Sequence, residues 1–212
     1  MLSAKAIAEL HDELTTAWHG VQAPDLAKLT DWPALVARQH RANFDLWHIE
    51  DEARTPGATD ADLARVKRRV DRTNQLRNDL AEVLDRTLLD WLAPQKLPAA
   101  DAQLHSESPG LMIDRLSILS LKIFHTGEEA ARTDAPAGHA ERNRERLAIL
   151  MEQRVDLTEC LEMLWRETLD GTRRFKLYRQ LKMYNDPTLN PAIYRTTQAG
   201  ATHQPLPTES GI

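Results

Sequence analysis

From residue 60 to residue 93 a two-beat rhythm of three- and four-residue steps runs through Leu63, Val66, Val70, Thr73, Arg77, Leu80, Leu84, Thr87 and Trp91. That rhythm matches the 3.6-residue turn of an α-helix. At 1.5 Å per residue such a helix is about 50 Å long, and a second stretch of similar length covers 137–169. Long amphipathic helices bury their apolar stripe by lying side by side, so the chain is expected to be an all-α antiparallel bundle.

The remaining punctuation supports about six helices, at 3–19, 31–54, 60–93, 109–131, 137–169 and 172–183. Pro33 sits near one start, Pro56-Gly57 divides the second from the third, Pro94 and Pro98 end the third, and Gly171 stops the fifth. No segment alternates with the period of two that a half-buried strand requires. Residues 1–184 read as one domain, since 212 residues with 42% hydrophobic content bury a substantial core. Residues 185–212, with Pro187, Pro191, Pro205 and Pro207, read as an irregular tail.

Composition narrows the function classes. A formal charge of -5 without a block of like charges argues against specific nucleic-acid binding. The lone cysteine, Cys160, excludes an intramolecular disulfide framework and reads as a buried thiol among leucines. Acidic residues interrupt the N-terminus where a signal peptide needs an apolar stretch, and no run approaches the ~20 apolar residues of a membrane span. The expected location is the cytoplasm.

Candidate function lies where polar side chains break the helical pattern. On the second helix Leu35, Ala42, Leu46, Ile49 and Ala53 form the expected core stripe. An arc beside it carries Gln39, Asn43, Trp47, Glu50 and Arg54, with His40 and Asp51 at its outer edge. Amides, a carboxylate and a guanidinium around an indole suit a sugar or nucleotide, while a Glu50–Arg54 salt bridge is the plain alternative. Arg77 on the third helix and Arg154 on the fifth occupy core positions, and each needs a carboxylate or an anionic ligand. Glu50, Asp85 and Asp114 are the candidate internal partners; a snorkelling side chain is the alternative. Asn74, Asn78 and Asp85 border the same stripe as Arg77.

Ser106-Glu107-Ser108-Pro109-Gly110 marks a helix start, with Ser108 as N-cap and first-turn amides able to hold an anion. On the helix that follows, Asp114, Arg115, Lys122 and His125 share about 100° of arc. That arc is either the wet side or, if it faces inward, a source of positive charge with Asp114 and His125 as an acid–base pair. Arg173, Arg174, Lys176, Arg179 and Lys182 make a short basic patch with Tyr178 among them.

Four separated blocks then resemble a known bacterial family, domain of unknown function 4254. They are Gln39, His40 and Asn43 with LWHIEDEAR; SESPG with IDRLSILSLKIFH; QRVDL; and YRQLKMYNDPTLNP. Ser108 and His105 depart from the commoner threonine and asparagine. The resemblance implies a cytosolic helical protein encoded among glycosyltransferases and other genes of lipopolysaccharide or surface-polysaccharide assembly, without an established activity. The IDRLSILSLK stretch is similar to helices of other uncharacterised proteins from such clusters.

Three functions follow as expectations. The first is an accessory protein that binds an anionic sugar, a sugar nucleotide or a glycosyltransferase. In it Arg77, Arg154, Arg115 and Lys122 neutralise phosphate, Trp47 stacks, and Asn43, Asn74 and Asn78 bond hydroxyls. The second is a magnesium-dependent hydrolase or transferase built on Glu50, Asp51, Glu82 and Asp85, similar in outline to all-α nucleotide pyrophosphohydrolases but with Ala53 and Arg54 where that family has a further acid. No cofactor is expected otherwise. The third is a scaffold whose long helices form a homodimer, the polar clusters fixing register.

Overall fold

The computed structural model describes residues 3–20, 31–179, 181 and 188–191. The chain divides into two compact units, residues 1–178 and 179–212, and the helices described below all belong to the first. The expected tail, and Lys182 of the basic patch, lie almost wholly outside the described residues.

The helices are α1 (Ala4–His19), α2 (Asp31–Glu52), α3 (Asp60–Leu92), α4 (Pro109–Ala131) and α5 (His139–Leu169). Local chemistry sets their ends. Ser3 accepts from the Ala6 amide, and Thr59 and Asp62 form a reciprocal capping box. Pro109 fills the first position of α4, and Gly171, at φ +73°, takes the left-handed conformation that ends α5. None of the described helices is long and apolar enough to cross a membrane.

α4 is the central element and packs against each of the other four helices. Its Met112, Ile113 and Leu116 meet Val36 of α2, Leu84, Leu88 and Leu92 of α3, and Leu161 and Leu164 of α5 in one core. Gly110 sets how closely α3 and α4 approach. A Cβ there would stand 2.3 Å from the Ala81 carbonyl oxygen, so any side chain would force the two backbones apart.

Two expectations are corrected. The sixth helix, 172–183, does not form in its described part: Arg173–Arg174 is a two-residue strand (β2) pairing in parallel with Gln103–Leu104 (β1). The Gly171 turn aims the chain along 103–104. There the His105 amide donates to the Arg174 carbonyl at 2.8 Å and Phe175, 2% exposed, anchors the segment in the core. Tertiary pairing thus overrides the helix propensity of basic residues. Cys160 is exposed, not buried. It stands about 60° round α5 from Leu157 and faces the groove between α4 and α5 rather than the core.

Candidate functional site

At mid-height of the bundle one carboxylate gathers donors from two helices. Asp114 of α4 is 6% exposed. Its Oδ1 accepts from Gln39 Nε2 at 2.6 Å, Asn43 Nδ2 at 2.9 Å and Arg77 Nε at 2.8 Å, while Arg77 Nη2 donates to Oδ2 at 2.5 Å. Arg77 therefore makes the bidentate fork that planar guanidinium and carboxylate favour. Asn74 accepts from Arg77 Nη1 at 3.4 Å.

The network continues through α2 into α1. Asn43 Nδ2 also donates to Ser117 Oγ at 2.9 Å, and His40 bridges Ser117 Oγ at 2.7 Å and Thr15 Oγ1 at 2.9 Å. Gln39 and His40 are fully buried, so His40 lies at the centre of the packing and not at the outer edge of the arc. Leu35 and Leu46, expected in the core stripe, are only half-buried. Hydropathy misjudges this register because partners on α1 and α4 satisfy most of these polar groups, Gln39 Oε1 excepted, which removes much of the burial cost. His11 stacks on His40 with ring centroids 4.5 Å apart. Burial lowers the pKa of His40 to about 3 and holds His11 well below the ordinary histidine value, so both rings are neutral near pH 7.

The start of α4 is occupied by an internal anion. Asp85 Oδ2 accepts from Ser108 Oγ at 2.5 Å and Oδ1 from the Gly110 amide at 2.6 Å. The Ser108 hydroxyl and the Gly110 amide, expected to hold an anionic ligand, are engaged by this carboxylate of α3. Burial dominates the environment of Asp85 and raises its pKa to about 6, against the opposing pull of the two hydrogen bonds.

Beside the Asp114 network an open cleft of about 360 Å³ is lined by Asn43, Leu46, Trp47, Glu50, Asp51, Arg54, Arg77, Ile118 and Leu121. Glu50 and Arg54 form an exposed i,i+4 pair at 3.2 Å. A second groove, of about 790 Å³ between α4 and α5, includes His105, Ser106, Glu107, Arg115, Lys122 and Asp156. Arg115 is tied there to Glu107 at 2.8 Å.

Other expected members are dispersed. Arg154 pairs with Asp12 of α1, which was not among its three candidate partners, and lines a different surface depression. Asn78 is half-buried one residue beyond Arg77 and, among the described residues, is not one of the donors to Asp114. His125 bonds Glu128 at 3.0 Å, and eleven residues of helix, about 16 Å, separate it from Asp114, so the two form no acid–base pair. The carboxylates Glu50, Asp51, Glu82 and Asp85 do not converge. The Glu52–Arg69 ion pair and the Asn43–Asp114–Arg77 bridge show α2 and α3 running antiparallel. Glu50 and Asp85 therefore lie on opposite sides of Arg77, about 20 Å apart along the axis.

One cluster escapes the reading of separate helix faces. His19 of α1, His48 of α2 and His125 of α4 bring ring nitrogens within 4.8 Å of one another. Trp47 stacks on His125 at 4.8 Å and 8° between planes, Phe124 stacks on His19 at 4.3 Å, and Phe44 lies 4.3 Å from His48. A signal does exist in the sequence: an aromatic–histidine pair occurs at Trp18-His19, Trp47-His48 and Phe124-His125.

Comparison with known proteins gives one result. No curated protein and no solved structure matches the chain. A family model described as "Protein of unknown function (DUF4254)" matches residues 33–177, which span α2 to α5 and hold the whole Asp114 network apart from Thr15. With well over half of its length matched, the chain belongs to the DUF4254 family.

Proposed function

We propose that this chain is a binding protein of cell-surface polysaccharide assembly that holds a sugar, or the sugar portion of a sugar nucleotide, in the cleft between α2, α3 and α4. The observation that carries this reading is the cleft's lining. An indole face (Trp47), an amide (Asn43), two carboxylates (Glu50, Asp51) and two guanidiniums (Arg54, Arg77) border about 360 Å³. That volume falls in the range of small-molecule sites. Mixed donors and acceptors of balanced charge suit a polyhydroxyl ring, and the indole suits its apolar face.

The wall of this cleft is stiffened from behind. Asn43 and Arg77 are held by Asp114, so they present their remaining edges in a fixed geometry, which lowers the ordering cost of binding. Strong phosphate capture is less favoured, because Arg77 is neutralised by Asp114 and Arg54 by Glu50. The setting in polysaccharide assembly rests on the family resemblance described above.

Isothermal titration of the purified protein with nucleotide-diphosphate sugars and with free monosaccharides tests the reading. Binding is expected for one sugar class, weakened about tenfold (1.4 kcal/mol) by Trp47→Ala. Unchanged affinity in a folded Trp47→Ala protein would remove the cleft from consideration. If every sugar fails, the dimeric scaffold becomes the better account, and sedimentation of the free protein decides it.

A further inference from the structure

We propose that His19, His48 and His125 form a binding site for a borderline divalent transition ion, zinc above all. The proposal is independent of the sugar reading, sharing only Trp47 with it, and is tested with the metal alone.

Hydrogen bonding fixes which nitrogen each ring offers. His19 Nδ1 lies 2.8 Å from the Thr15 carbonyl oxygen, and His48 Nδ1 lies 2.8 Å from that of Phe44. A carbonyl oxygen only accepts, so both Nδ1 atoms carry the proton and each Nε2 keeps its lone pair. His125 Nδ1 lies 3.0 Å from Glu128 Oε2, which imposes the same tautomer. His125 Nε2 is buried and, among the described residues, has no hydrogen-bond partner.

Each ring thus keeps one acceptor nitrogen, and ring nitrogens of the three, from three helices, lie within 4.8 Å of one another. Metal-binding histidines characteristically donate their other ring N–H to a backbone carbonyl or a carboxylate, which orients the ring and raises its basicity. Here two carbonyls and one carboxylate already do so.

The dimensions fit with small movements. If no two nitrogens are more than 4.8 Å apart, a point exists within about 2.8 Å of all three, and a zinc–nitrogen bond of about 2.0–2.1 Å then needs each ring to move about 0.7 Å. Neutral imidazoles select zinc, copper, nickel or cobalt over magnesium or calcium. Three ligands leave a fourth position open. Phe44, Trp47 and Phe124 pack on the rings and hold them at fixed angles.

Calorimetric titration of tag-free protein with zinc, and absorption spectroscopy with cobalt(II), test the site. One ion per chain is expected, with the visible spectrum of four-coordinate cobalt. His48→Phe and His19→Phe keep an aromatic ring in the packing and should each weaken binding by at least about 100-fold. His105→Gln, whose ring contacts the Glu107 carbonyl just before the opposite end of α4, should leave affinity unchanged. Should a phenylalanine variant fail to fold, wild-type protein labelled at histidine nitrogen decides. Zinc should move the Nε2 resonances of His19, His48 and His125 and leave the other five of the eight histidines in place. Absence of zinc binding, binding unaffected by both substitutions, or movement of a different set of histidines would overturn the proposal.

Discussion

The two halves of α4 treat buried polarity in opposite ways. In the N-terminal half each carboxylate is matched by donors: Asp85 by Ser108 and the Gly110 amide, Asp114 by Gln39, Asn43 and Arg77. In the C-terminal half the histidine rings spend their donors on carbonyls of their own helices and on Glu128, and the nitrogen each has left is an acceptor. In the first arrangement the carboxylates are saturated, and it fixes how α2, α3 and α4 sit together. The second keeps acceptor capacity, and the buried Nε2 of His125 has no partner for it among the described residues. Saturation marks a structural use of polar groups, whereas a shared residual valence marks a receptive one.

The contrast can be broken most directly at Asp114. Asp114→Leu strands Arg77, Gln39 and Asn43 without their acceptor, and a cost of about 3 kcal/mol is expected in urea unfolding, at the lower end for a broken buried pair because the Arg77 side chain is 24% exposed. A loss below about 1 kcal/mol would mean that the network is no more than a surface ion pair.

Acid should test the same half of the molecule through protons. His11 and His40 have folded pKa values depressed below the unfolded value, so the unfolded chain binds more protons and stability falls as pH drops below about 6.5. Asp85, raised to about 6, works in the other direction and gains stability as pH falls from about 6 towards 4. His125, also lowered by burial, acts with His11 and His40, so three groups oppose one and a net loss of stability is expected as pH falls from 6 to 4. Asp85→Asn keeps an acceptor for Gly110 and removes the offset, so stability followed by urea unfolding from pH 6 to pH 4 should fall more steeply than in the wild type, by up to about 1.4 kcal/mol per pH unit.

Gly110→Ala isolates the crossing of α3 and α4 and should cost about 1–3 kcal/mol through overpacking. Because the histidine cluster lies at the far end of α4, the imidazole signal of His125 should stay where it is in the NMR spectrum of the folded variant. The smallest effect belongs to the open half: His48→Phe, which exchanges one half-buried ring for another, is expected to change stability by less than about 1 kcal/mol. A larger loss would mean that the cluster is held together by its own packing.

The helices were legible because period and punctuation agree. The rhythm through Leu63 to Trp91 leads to α3 at Asp60–Leu92, and Ser108-Pro109 leads to α4 at its first residue. Arg77 and Asn43 drew notice as polar residues at or beside apolar registers, and the structure joins both to Asp114. The segment after Gly171 was not legible, since its conformation depends on a two-residue pairing with Gln103–Leu104 about seventy positions away. Arg154 has the same helical signature as Arg77, yet it finds its partner on α1, because a helical wheel states that a guanidinium is inside without stating which neighbour it meets. The histidine cluster is the extreme case. His19, His48 and His125 lie on three helices, each ring unremarkable on its own face, and only packing converts them into a set.

Trp47 belongs to both receptive places, as a wall of the cleft and as the ring stacked on His125. A sugar that shifts the indole alters the freedom of His125, and an ion that draws His125 inward alters the surface offered to the sugar. By linkage the two occupancies change each other's affinity by one common factor, in whichever order they bind. On these two proposals a single indole would couple two chemistries, the affinity for either ligand depending on how much of the other is present.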